Sequence, residues 1–164
     1  MGNYNFDVDL AEGIRLEKKF IQFLKSKNKK ILSYKHSSTK EKDLTVEFDY
    51  GIQTFEVKSD EYSLDYPIYF RNTVIEPDGF GTLFIECESW GKYSGIITTK
   101  ADWWVHFLKR MDQIWMIETK ILKEIIHTQP FDLMENAGDP GSNTKGLLLP
   151  REHFKKFFKI YYYE

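Results

Sequence analysis

Residues 42–58 read KDLTVEFDYGIQTFEVK, two short alternating runs on either side of Tyr50-Gly51, and that is the pattern of a β-hairpin. With Tyr50-Gly51 as a two-residue turn, Asp49 faces Ile52, Val46 faces Phe55, Thr45 faces Glu56 and Asp43 faces Lys58. Facing residues project to the same side of a sheet, and alternate residues along a strand share a side. Leu44, Val46, Phe48, Phe55 and Val57 then make an apolar face, and Asp43, Thr45, Glu47, Thr54, Glu56 and Lys58 a polar one. Asp43 and Glu56 become diagonal neighbours, roughly 5–8 Å apart, a separation that suits one small hard cation. A three-residue loop would shift the pairing and dissolve the constellation.

Magnesium takes oxygen ligands and keeps several of its waters. One oxygen each from Asp43 and Glu56 leaves those waters in place, and a bound metal makes water acidic enough to attack phosphorus. A lysine alongside, Lys58, can orient that water or meet charge growing on a phosphate. The competing reading is a solvated strand face on which Lys58 merely pairs with Asp43.

Asp43, a twelve-residue gap and then Glu56-Val57-Lys58 resembles the active-site signature of the PD-(D/E)xK nuclease superfamily, with Lys42 standing where the family has its proline. Two further stretches are similar to that family. Phe6-Asp7-Val8-Asp9-Leu10, followed by Gly13 and Glu17-Lys18, looks like its opening segment. Residues 84–104, FIECESWGKYSGIITTKADWW, resemble a group of small phage and bacterial nucleases with an FIExE-type strand, a GK-SGI loop and an AD-aromatic strand. The resemblance implies that Asp43, Glu56 and the Val57 carbonyl bind Mg²⁺ or Mn²⁺, that Lys58 positions the attacking water, and that Glu17 completes the site.

Glu17 stands out without that comparison. Residues 9–27 carry helical periodicity, with Leu10, Ile14, Ile21 and Leu24 in a stripe widened by Leu16, Phe20 and Phe23. Glu17 falls inside the stripe, where a carboxylate is costly unless it has a partner. The alternative is a place at the helix rim or a pairing with a basic neighbour.

Residues 31–34 read as a short strand, and His36 as an exposed histidine in the loop that follows. Lysines flank the hairpin, and Lys40, Lys42, Lys92 and Lys100 are candidates for phosphate contact. Residues 59–81 are polar and irregular with scattered aromatics, either a substrate-binding insertion or a loop packed on the core. Residues 83–89 form a strand with Leu83, Ile85 and Cys87 on one face and Phe84, Glu86 and Glu88 on the other; the two glutamates are outer acids of the site or a solvated face. A helical turn is expected at 98–102, a buried strand at 103–108, a strand at 113–117 and a helix at 118–127. Residues 135–146 look like a flexible loop, 147–150 a last short strand and 151–158 a helix. Trp90, Trp103, Trp104 and Trp115 are assigned to the core or an interface. The aromatic run 160–163 goes to its own core or to a second copy in a homodimer.

The bulk numbers narrow the class. At 164 residues with 41% hydrophobic content, the chain suits one folded domain, 1–164. A formal net charge of −2 gives no global pull toward nucleic acid, so contact with DNA has to come from a local basic patch. The single cysteine, Cys87, excludes an internal disulfide and a cysteine-rich zinc site, and suits the cytoplasm. No signal-peptide pattern and no run of transmembrane length are present, so no membrane partner is expected. Phosphate-binding glycine loops, dinucleotide fingerprints, zinc helices and nucleophile elbows are absent.

The expectation is an α/β domain with a restriction-endonuclease-like core, a mixed β-sheet flanked by helices. Its function would be metal-dependent DNA endonuclease action on branched or irregular DNA. An end-dependent exonuclease, and an inactive nucleic-acid-binding or inhibitory module on the same fold, are the alternatives.

Overall fold

The computed structural model describes residues 6–37, 41–60, 68–70, 73–75, 81–138 and 141–163. The first helix, α1, spans Phe6–Ser26. Phe20, Ile21, Phe23 and Leu24 are its buried stripe. It ends where Asn28 turns left-handed, with Lys29 N–H bonded to Leu24 O and Asn28 N–H to Lys25 O. That is a Schellman stop, and asparagine tolerates the positive φ it needs.

Strands β1 (Ile31–His36), β2 (Leu44–Phe48) and β3 (Gly51–Asp60) follow as an antiparallel meander. The stretch 59–81 is not irregular throughout: β3 runs to Asp60, and two short paired strands follow, β4 (Ile68–Phe70) and β5 (Thr73–Ile75); residues 61–67, 71–72 and 76–80 lie outside the described ones. Then come β6 (Thr82–Ser89), β7 (Lys92–Tyr93), β8 (Trp103–Leu108) and β9 (Gln113–Glu118). The helix α2 (Thr119–Thr128), strands β10 (Asp132–Ala137) and β11 (Thr144–Pro150), the one-turn helix α3 (Arg151–Phe154) and strand β12 (Lys159–Tyr162) complete the chain.

The main sheet has the order β1-β2-β3-β8-β9-β12, and only the central pair β3–β8 is parallel. The α1 stripe lies on one face, against Leu44, Val46, Phe55, Val57, Val105 and Phe107. On the other face Trp104, Leu108, Trp115 and Ile117 meet Leu122 and Ile125 of α2, Phe154 of α3, and a second sheet. That sheet has the order β10-β11-β6-β7 and buries Leu83, Ile85 and Leu149. A mixed α/β domain was expected, but one flank of the main sheet is largely another sheet rather than helices.

Several expectations change. The hairpin turn is Asp49-Tyr50, not Tyr50-Gly51, because Phe48 pairs with Gly51 and Leu44 with Phe55. Gly51, at φ 144°, enters the strand instead of the turn, and the Tyr50 ring stacks on Phe48 at 5.0 Å. The pairing moves by two residues, so every side chain keeps its expected face. The first strand runs on to His36, which is therefore no loop residue. The helical turn lies at Gly95–Ile97, upstream of 98–102, and the helix expected over 151–158 is α3 followed by a 3-10 turn at Lys155–Phe157. The stretch 135–146 contains the end of β10 and the start of β11 rather than a loop throughout. Trp104 and Trp115 are core residues, but Trp90 is 56% exposed at the tip of the β6–β7 hairpin. The aromatic run 160–163 joins its own chain, with β12 paired to β9, Tyr161 against Phe23 and Tyr163 against Phe107.

Candidate active site

The polar face of the hairpin sits where β2 begins and β3 continues past it. Asp43 immediately precedes β2, and its N–H donates to Phe55 O at 3.0 Å. Extending the register by one residue places Asp43 opposite Glu56 rather than opposite Lys58. Its Oδ2 accepts the Val57 N–H at 2.8 Å. The N–H and C=O of a residue in an extended strand point to the same edge, so the Val57 carbonyl is directed to the side on which Asp43 lies.

Glu56 is 4% exposed. Its Oε1 lies 2.9 Å from Lys58 Nζ, and its Oε2 lies 3.1 Å from the Thr99 hydroxyl. Burial pushes the Glu56 carboxyl above the ordinary range, against the pull of Lys58, and the Asp43 charge adds to the rise. For Lys58, burial works downward, but the charges of Glu56, Asp43 and Glu86 outweigh it and hold the ammonium above the ordinary lysine range. Lys58 Nζ also lies 6.0 Å from the centre of the Trp104 ring, and His106 is its partner position on β8. His106 Nδ1 accepts from Trp104 Nε1 at 3.3 Å, so Nε2 carries the proton of the neutral ring. Burial, together with the Lys58 and Arg151 cations, pushes His106 down to about 3.

Glu17, 7% exposed on α1, turns toward the same place. Its Oε2 is in hydrogen-bond contact with His36 Nδ1. Burial raises its carboxyl, and the charges of Asp43 and Glu56 raise it further. His36 reaches it because β1 pairs His36 with Leu44, next to Asp43, while Ser37 N–H bonds Asp43 O at 2.8 Å. His36 was missed as a site residue. The strand read at 31–34 stops two residues short of it, and nothing in the exposed residues 32–35 marks the continuation.

The structure therefore brings Glu17, Asp43, Glu56 and Lys58 to one locality and adds His36 and Thr99. It treats the outer residues differently. Glu86 acts on Lys58 through its charge, and Gly95 lies so close that a β-carbon there would be 2.2 Å from Glu86 O. Glu88 instead pairs with Lys145 at 3.3 Å, in the second sheet. Lys100 is ion-paired with Glu41 at 2.8 Å, Lys42 is half-buried beside Asp43, and Lys92 is exposed on β7. Lys40 lies outside the described residues.

Among the described residues, no group of three or more His, Cys, Asp and Glu side chains is arranged to hold a metal ion. The donor set is a smaller one, two facing carboxylates with the Val57 carbonyl on their side. Its oxygens are the hard donors a divalent cation takes, and such a cation would relieve the charge by which Asp43 raises the carboxyls of Glu17 and Glu56. No helix is long and apolar enough to cross a membrane among the described residues. No family model, curated protein or solved structure matches this chain.

Proposed function

We propose that the chain is a metal-dependent DNA endonuclease of the PD-(D/E)xK type on a restriction-endonuclease-like core, cutting branched or otherwise irregular DNA in the cytoplasm. The observation that carries this reading is the convergence of Glu17 from α1, Asp43 at the start of β2, and Glu56 and Lys58 from β3. Three carboxylates in one locality, two of them buried and with Lys58 as the cation facing them, are costly as structure alone. Their cost is intelligible where a divalent cation is to be bound.

Asp43, Glu56 and the Val57 carbonyl would hold Mg²⁺ or Mn²⁺, which when bound supplies charge to the phosphoryl group and acidifies water. The chain's own residues do the rest. Lys58 stays protonated, so it serves as a fixed cation beside the phosphate and orients water rather than taking its proton. Thr99 and Lys58 fix the two oxygens of Glu56. His36 fixes Glu17 through the hydrogen bond between its Nδ1 and the carboxylate.

Incubation with Mg²⁺ or Mn²⁺ and linear, nicked, single-stranded and four-way DNA tests the proposal. Metal-dependent cleavage that disappears in Asp43→Ala and Glu56→Ala is the expected result. Absence of cleavage of any DNA or RNA, with no carboxylate-dependent metal binding, would leave a nucleic-acid-binding module in which the Glu56–Lys58 pair is structural.

A further inference from the structure

A cavity of about 510 Å³ opens beside the carboxylates, between the 99–103 segment and the start of α2. Thr99 is the wall shared with the candidate active site. Its hydroxyl lies 3.1 Å from Glu56 Oε2, while its carbonyl accepts a 2.7 Å bond from Lys123 Nζ. Lys120 stands three residues before Lys123, a spacing that places both on one helix face, and both line the cavity. Lys100, ion-paired with Glu41, lines it as well.

The helix end itself invites an anion. The N-cap position is Glu118, whose side chain makes no capping bond. The Thr119 N–H is bonded to Asp102 O at 2.9 Å, and the next N–H groups lie at the positive end of the helix dipole. Thr119 lines the cavity and is 4% exposed, with its hydroxyl oxygen buried away from the opening, so what the helix end offers there is backbone. Two acids also line the cavity, but they do not cancel the lysines. The Asp102 carboxylate is turned to β3, accepting from Thr54 N–H at 2.8 Å and from the Thr54 hydroxyl at 3.0 Å. Glu118 is exposed and can swing into water.

We propose that this cavity seats a phosphate group of the DNA strand next to the phosphodiester being cut, held by Lys120, Lys123 and the start of α2. This rests on the nuclease reading. An oxyanion suits the place because ammonium groups and the positive end of α2 border the same cavity. A single residue, Thr99, joins the cavity to Glu56, so a strand seated here also fixes the neighbouring phosphodiester relative to Glu56 and Lys58. Two sources share this chemistry, an internal backbone phosphate and a terminal 5′-phosphate.

The test is DNA binding in EDTA, where cleavage plays no part. Fluorescence anisotropy across a salt series compares wild type with Lys120→Gln and with Lys120→Gln/Lys123→Gln, on duplexes bearing 5′-phosphate or 5′-hydroxyl ends. The double variant is expected to bind about tenfold more weakly, and its slope of log affinity against log salt to fall by about 1. Lys120 is exposed, so the single variant gives the answer if the double one unfolds. Equal losses on both duplexes assign the cavity to an internal phosphate; a 5′-phosphate preference that only the variants lose assigns it to the strand end. Unchanged affinity and slope, or no DNA binding by wild type, overturn the proposal. Lost binding in the variants of a protein that never cuts would keep the cavity's role and refute the nuclease reading alone.

Discussion

Replacing Lys58 by methionine removes the ammonium and keeps the length of the side chain. It leaves Glu56 4% exposed with Asp43 opposite and Glu86 within electrostatic reach, and takes away the cation that offsets them. Breaking a buried ion pair from one side costs about 3–5 kcal/mol. The Lys58 side chain is 29% exposed, and the water that reaches it reduces the loss to about 2 kcal/mol. For a chain of this size that is a fall in Tm of about 4–8 °C in EDTA. Mg²⁺ at a hundred times its Kd adds about 2.7 kcal/mol to the form that binds it. Because Lys58 competes with the metal for the Glu56 charge, the Lys58→Met protein should gain more from Mg²⁺ than wild type does. Cleavage should nonetheless fall by about a hundredfold or more, since the fixed ammonium beside the phosphate is lost. Differential scanning calorimetry with and without Mg²⁺, beside a cleavage assay, reads all three effects. An unchanged Tm in EDTA, or a smaller Mg²⁺ gain than in wild type, would refute the reasoning.

Asp43→Ala and Glu56→Ala should abolish carboxylate-dependent metal binding in calorimetric titration while DNA binding in EDTA holds or rises, since each removes repulsion of phosphate. His36→Ala should lower cleavage about tenfold by releasing Glu17, with the metal-free fold retained; cleavage equal to wild type, when Glu17→Gln is inactive, would count against the pairing. His106 should shape the acid limb of stability. Its folded pKa is pushed down to about 3, so its contribution is complete above about pH 6.5 and is lost as pH falls from there toward 3, at up to about 1.4 kcal/mol per pH unit. The raised carboxyls of Glu17 and Glu56 act in the opposite sense, so the reading is the difference in slope between wild type and His106→Gln, taken from denaturant midpoints between pH 7 and 4.5. Gly95→Ala should cost about 2–4 kcal/mol, because φ is +52° and its β-carbon would meet Glu86 O at 2.2 Å; chemical denaturation measures it.

What the sequence determined by itself was sidedness. Leu44, Val46, Phe48, Phe55 and Val57 are buried, and Asp43, Glu56 and Lys58 share the other face, although the turn lies one residue earlier than its Tyr50-Gly51 signal suggested. A period of two survives a shift of two, so the face was legible even where the register was not. The period of the first helix likewise marked Glu17 as a carboxylate in an apolar stripe, and it is buried. Tertiary structure decided everything that depends on partners distant in the chain. It set Asp43 opposite Glu56 instead of Lys58, brought His36 onto Glu17 across the turn after α1, and joined Thr99 to Glu56. The middle four residues of β1 are all exposed and β10 is exposed along nearly its whole length, so neither carries an alternation that could announce it. β10 exists because β11 gives it a ladder, and β12 because β9 does. Side-chain patterns record which face meets water, whereas an edge strand is held by backbone hydrogen bonds, which every sequence can make and no side chain encodes.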